Sequence, residues 1–197
     1  MCSLADCEKK LLLKIARQAL AAAVEGRECP ETVPDSERLR KPSGAFVTLR
    51  RGPRLRGCIG QLSGVEALVD VVSYCARAAA LDDPRFAPVR PDEVPDLDIE
   101  ISVLSPLEDI TPDKIVAGKH GLIVTRGWDR GVLLPQVATE FNWSAERLLE
   151  ETCVKAGLDP EDWMDPETRI QAFTAEVFGE SELGLRQFLR PGYSIST

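Results

Sequence analysis

A thiol set in bare backbone is the chemistry this chain offers first. Cys58 lies in Leu55-Arg56-Gly57-Cys58-Ile59-Gly60, with an arginine two residues before it and glycines on either side. Glycine lets a backbone approach a ligand closely, at an entropic cost inside a regular element. Three readings of Cys58 stay open: a small packed hydrophobe, a nucleophile or redox thiol, or a contact to a metal or radical cofactor. Arg56, and a helix expected to begin a few residues later, favour the reactive reading, because both lower a thiol pKa when they face it. His120 is the single histidine. It is either a hydrogen-bonded structural residue or a base for Cys58, with Glu100 or Asp98 orienting its ring. Arg85 is either locked to Asp82 or Asp83 or presents a forked donor to a carboxylate or phosphate. Glu100 faces solvent or serves as a pocket acid, and Gln136 either caps a helical turn or donates to a ligand. Gly57 and Gly60 complete the candidate binding set.

The basic run Arg50, Arg51, Arg54 and Arg56 has two readings, a charged edge strand that deters sheet pairing or an anion-binding rim around Cys58. The whole chain is acidic, with 24 Lys+Arg against 32 Asp+Glu and a net charge of −8 over 197 residues. That balance argues against nonspecific nucleic-acid binding. The six cysteines are scattered with no CxxC pair and are read as reduced thiols. No metal site is expected, and the sequence names no cofactor. GxGxxG, GxxxxGK[ST], GxSxG and HExxH are absent. No stretch approaches the ~20 apolar residues of a membrane span, and no secretory leader pattern is seen, so a cytoplasmic chain is expected.

The elements that must hold these residues follow from periodicity. Leu4, Leu11, Leu12, Ile15, Ala16, Ala19 and Leu20 predict an amphipathic helix over 4–25. Residues 27–43 are polar and proline-containing, and predict a surface loop. Residues 44–50 and 55–59 form a hairpin about Gly52-Pro53. A helix over 63–80 opens with a Ser63/Glu66 capping box. Residues 97–104 alternate strictly and form a strand, and 110–116 a short helical segment. Residues 121–125 and 131–134 form a second hairpin, 136–141 a helical turn, 144–156 a helix stopped by Gly157, and 170–177 a late strand. Trp128, Trp143 and Trp163 are expected to cover turns and core edges. Hairpins without one helix per strand predict an α+β fold on antiparallel sheet.

The hexapeptide Leu55–Gly60 resembles the hallmark of the AMMECR family, the AMME-syndrome candidate protein and its prokaryotic relatives. Ala80–Phe86, Ile99–Leu104, Lys119–Ile123 and Leu133–Ala138 are similar to that family in the same order. The resemblance implies two α+β subdomains of unequal size, antiparallel sheets with packed helices: a larger one carrying both chain ends, set at 1–45 and 96–197, and a smaller one at 46–95 carrying the motif. Prokaryotic members are called AmmeMemoRadiSam system protein A, which implies Memo-like and radical-SAM proteins as partners. It brings no established activity. Two functions stay open: an enzyme or enzyme-accessory protein using a Cys58 cleft on a small anionic molecule, or a noncatalytic scaffold for those partners.

Overall fold

Leu12, Leu13, Ala16, Ala19 and Leu20 are buried on one face of α1 (Asp6–Val24), as their three-and-four spacing requires. The Glu8 carboxylate returns to accept the Ala5 N–H at 2.8 Å, closing the first turn. In this computed structural model, residues 3–30, 32–62 and 65–185 are described. The 27–43 segment is more than a loop. It contains a 3-10 turn at Glu37–Arg40 that buries Leu39 completely.

Strands β1 (Ala45–Arg51) and β2 (Arg54–Gln61) form the first hairpin. Helix α2 (Leu68–Leu81) follows, then β3 (Asp98–Leu104). The first sheet has the order β2-β1-β3-β8, where β8 is Ala175–Gly179. Strand β1 pairs antiparallel with both β2 and β3. Ala45, Val47 and Leu49 of β1 and Ile99, Ile101 and Val103 of β3 are buried in one core with α1 and α2. The period of two sends Thr48, Glu100 and their neighbours to the opposite face.

The second sheet has the order β4-β7-β5-β6. Its strands are β4 (Glu108–Asp109), β5 (Gly121–Arg126), β6 (Asp129–Leu133) and β7 (Arg169–Phe173). Helices α3 (Pro135–Glu140) and α4 (Ala145–Ala156) accompany it. The Ser144 hydroxyl accepts the Arg147 N–H at 3.1 Å at the start of α4, and Gly157 ends it at φ 83°, the left-handed position that glycine takes without penalty. The expected helical segment at 110–116 is only a 3-10 turn, Pro112–Lys114.

The fold is α+β with two antiparallel sheets. Two compact units divide it, Met1–Val103 with Glu176–Thr197, and Leu104–Ala175. The segment 46–95 lies wholly within the first of these, so this division differs from the expected one. The physical reason is that β1, β2 and α2 share one core with α1 and β3. The expected strand over 170–177 is two strands: Thr174 separates β7 of the second sheet from β8 of the first.

Candidate functional site

Cys58 sits in β2, the edge strand of the first sheet, and is partly exposed. Its register partner on β1 is Thr48, and Thr48 is in turn opposite Glu100 on β3. Cys58, Thr48 and Glu100 therefore form a row across three strands, on the face turned away from the helices. The Thr48 hydroxyl donates to Cys58 Sγ at 3.3 Å.

On an edge strand, a residue whose N–H and C=O do not reach the neighbouring strand presents both to the outside. At Cys58 these two groups are taken by the segment after α2. Its N–H donates to Asp83 Oδ2 at 2.8 Å, and its carbonyl accepts from Arg85 Nη2 at 3.2 Å. Asp83 and Arg85 are themselves joined: Nε donates to Oδ1 at 2.9 Å and Nη2 to Oδ2 at 2.7 Å. The pair stands in for the missing next strand over one residue. The carboxylate is nearly buried while the guanidinium is 53% exposed. Hydrogen bonding from Arg85 is the main cause that holds the Asp83 carboxyl down at about 2, helped by the Cys58 N–H and opposed by burial. The same pairing raises the pKa of Arg85, with the Cys58 thiol a smaller contributor.

Arg56 takes a structural position. Its Nε and Nη2 donate to the Glu93 carboxylate at 3.0 and 3.1 Å, and Nη1 donates to the Ala87 carbonyl at 2.9 Å. It ties the edge strand to the 87–93 segment. Gly57 is required by space, since a Cβ there would lie 2.0 Å from the Ala79 carbonyl oxygen. A Cβ at Gly60 would meet the Phe46 ring at 2.2 Å.

The close approach at Gly57 corrects one expectation. Helix α2 begins at Leu68, not Ser63, and Ser63 lies outside the described residues. The Leu68 N–H donates to the Lys41 carbonyl at 3.1 Å. The part of α2 behind the motif is its last turn, around Ala79, so the positive end of this helix is not what backs Cys58.

His120 and Gln136 belong to the second unit. His120 Nδ1 accepts the Val116 N–H at 3.2 Å, which fixes the neutral ring with its proton on Nε2. Burial first, and Lys119 second, lower its pKa. In this tautomer the ring donates from Nε2 and does not take up a proton there. Gln136 is partly buried in the first turn of α3, where Leu134 is the cap residue. Trp143 and Trp163 pack against the second core, but Trp128 is fully exposed at the β5–β6 turn and covers nothing among the described residues.

Five described cysteines are free: Cys7 and Cys29 exposed, Cys58 intermediate, Cys75 and Cys153 buried. Burial pushes the Cys75 thiol up to about 12. Among the described residues no group of three or more His, Cys, Asp or Glu side chains is placed to hold a metal ion. No helix among them is long and apolar enough to cross a membrane. Asp83 and Thr48 were not singled out by the sequence as partners of Cys58. The proximity of Asp83 to Arg85 was legible, but not its bond to Cys58.

Comparison with known proteins bears on the whole of this arrangement. A protein of Methanothermobacter thermautotrophicus is 47% identical over 183 residues, covering 88% of this chain and 94% of its own. One of Thermococcus kodakarensis is 42% identical over 185 residues, covering 87% and 89%. The crystal structure of an uncharacterized protein from Pyrococcus horikoshii superposes with a TM-score of 0.82 at 40% identity, over 88% of this chain and 92% of that one. The family model AMMECR1 matches residues 13–178, a span that takes in the Cys58 row, its clamp and both sheets, and the chain belongs to the AMMECR1 family.

Proposed function

We propose that this chain is a thiol-dependent enzyme or enzyme-accessory protein that uses Cys58 on a small anionic molecule. The observation that carries the reading is the treatment of one residue. The peptide of Cys58 is clamped on both sides by Asp83 and Arg85, while the residue stays partly exposed and its sulfur accepts from Thr48. A cysteine that only fills a core needs no such clamp. The reading takes the chain as cytoplasmic, where thiols stay reduced.

Alkylation followed by peptide mass mapping tests it. A Cys58 thiolate displaces iodide from iodoacetamide or iodoacetate, forming an S–CH2 bond. Cys58 is expected to react ahead of Cys7 and Cys29, with a larger iodoacetate-to-iodoacetamide rate ratio than either. Six thiols of similar slow reactivity, or an unmodified Cys58, would overturn the reading.

The scaffold reading, with Memo-like or radical-SAM proteins as partners, has one observation in its favour. Trp128 is fully exposed at a hairpin tip, the kind of aromatic anchor that dominates interfaces. Under that reading, partner binding measured by pull-down survives Cys58→Ser and is lost in Trp128→Ala.

A further inference from the structure

Most arginines around the motif are already committed. Arg51 pairs with Asp96 at 2.9 Å, Arg56 with Glu93 at 3.0 Å and Arg85 with Asp83 at 2.7 Å. Arg54 is exposed at the hairpin end. Arg50 differs from all of them. It is partly buried, and among the described residues its guanidinium has no ion pair or hydrogen bond.

Its place in the sheet matters. Arg50 follows Thr48 by two residues on β1, so both side chains leave the same face. Cys58, opposite Thr48, is therefore a diagonal neighbour of Arg50. Such pairs lie about 7–8 Å apart, within reach of a long side chain. The register shift between Leu49 and Arg50 marks a bulge, a device that re-aims side chains beside functional sites. Asp98 is directly opposite Arg50, but its Oδ2 accepts from the Ser181 hydroxyl at 2.6 Å. Glu100 occupies the far end of the row, beyond Thr48, and repels anions there.

We infer that Arg50 is the residue that recognises the anion, gripping a carboxylate or phosphate through its forked donors while the rest of the same molecule lies against Cys58 Sγ. Arg56 and Arg85 hold backbone and carboxylates in place. The inference rests on the reading of Cys58 as a thiol centre. The charged residues on this face of the strands are Arg50, Asp98 and Glu100, and Asp83 and Arg85 hold the Cys58 backbone. Of the two cations, Arg85 is already neutralised by Asp83.

The test compares iodoacetate with iodoacetamide at Cys58 in the wild type, Arg50→Ala and Arg50→Lys, at one pH and ionic strength. Because both reagents meet the same thiolate, their rate ratio reports charge recognition and cancels changes in ionisation. Removing one charge about 7 Å away through a partly aqueous medium should lower the ratio about 3- to 30-fold in Arg50→Ala. Losing that charge also lowers the thiolate fraction, which slows both reagents by a common factor that the ratio removes. Arg50→Lys should keep most of the ratio, and Cys7 and Cys29 serve as internal controls. A reactive Cys58 whose ratio is the same in Arg50→Ala as in the wild type, whether or not both rates fall by one factor, overturns the role of Arg50. A wild-type Cys58 that neither reagent modifies overturns the thiol reading beneath it.

Discussion

Replacing Asp83 by Asn removes one charge and keeps the shape. The carboxylate is 3% exposed, accepts the Cys58 N–H, and holds Arg85 through both oxygens. Its carboxyl ionises at about 2 in the folded chain against an ordinary 3.8. At 1.36 kcal/mol per pH unit that difference stabilises the fold by about 2.5 kcal/mol at pH 7. Arg85 is half in water, which screens the attraction and makes about 2 kcal/mol the better expectation. The sign follows from the lowered pKa. The unfolded chain takes up the proton near pH 4 and the folded chain only near pH 2, so the contribution is complete above about pH 5 and vanishes toward pH 2. Urea unfolding of the wild type and Asp83→Asn, followed by far-ultraviolet circular dichroism at pH 7, 4 and 2.5 because all three tryptophans lie in the second unit, should show a gap of about 2 kcal/mol that closes with acid. A gap of equal size at all three pH values, or one below about 0.5 kcal/mol at pH 7, would refute the linkage reasoning.

The Glu93 carboxyl, drawn down from 4.5 to about 2 chiefly by hydrogen bonds from Arg56, gives a parallel case: Glu93→Gln should cost about 2–3 kcal/mol at neutral pH and nearly nothing at pH 2 in the same titration. Gly57→Ala should cost about 2–3 kcal/mol by thermal unfolding, because its Cβ would lie 2.0 Å from the Ala79 carbonyl oxygen and neither strand nor helix is free to yield. Trp128→Ala should leave the melting temperature within the range of an exposed surface change, below about 0.5 kcal/mol, since the ring touches nothing that folding needs. A larger loss would show that the ring is buried in solution.

Local pattern carried much of the fold. Strict alternation over Asp98–Leu104 became β3, and the Ser144 and Gly157 boundaries of α4 stood where capping chemistry puts them. What escaped was what depends on partners distant in sequence. Residues 170–177 read as one strand because both halves are apolar and β-prone, and only hydrogen bonding to two different sheets separates them at Thr174. The Ser63/Glu66 pattern suggested a helix start, yet α2 begins at Leu68, where its N–H meets Lys41. In the site, the Asp83–Arg85 pair was visible as neighbours in sequence, but its grip on Cys58 spans 25 and 27 residues. The arginine run hid Arg50 among similar residues, and only the fold distinguishes it: Arg51 and Arg56 are paired with carboxylates, Arg54 is exposed, and Arg50 is partly buried.

The placement of β8 at the edge of the first sheet has a consequence for how the chain is made. The sheet opens with residues 45–61 and 98–104 and is closed by residues 175–179. During synthesis the second unit, 104–175, emerges in full before that last strand exists. The Glu180 carboxylate, which accepts the Ile99 N–H at 3.1 Å and pairs with Arg17, arrives later still. A ribosome-bound intermediate should therefore hold a completed second sheet and a three-stranded first one, its β3 edge open to misplaced pairing until β8 and Glu180 lock it. Pulsed hydrogen exchange on stalled nascent chains would read that order directly, with β5 and β7 amides protected before those of β3.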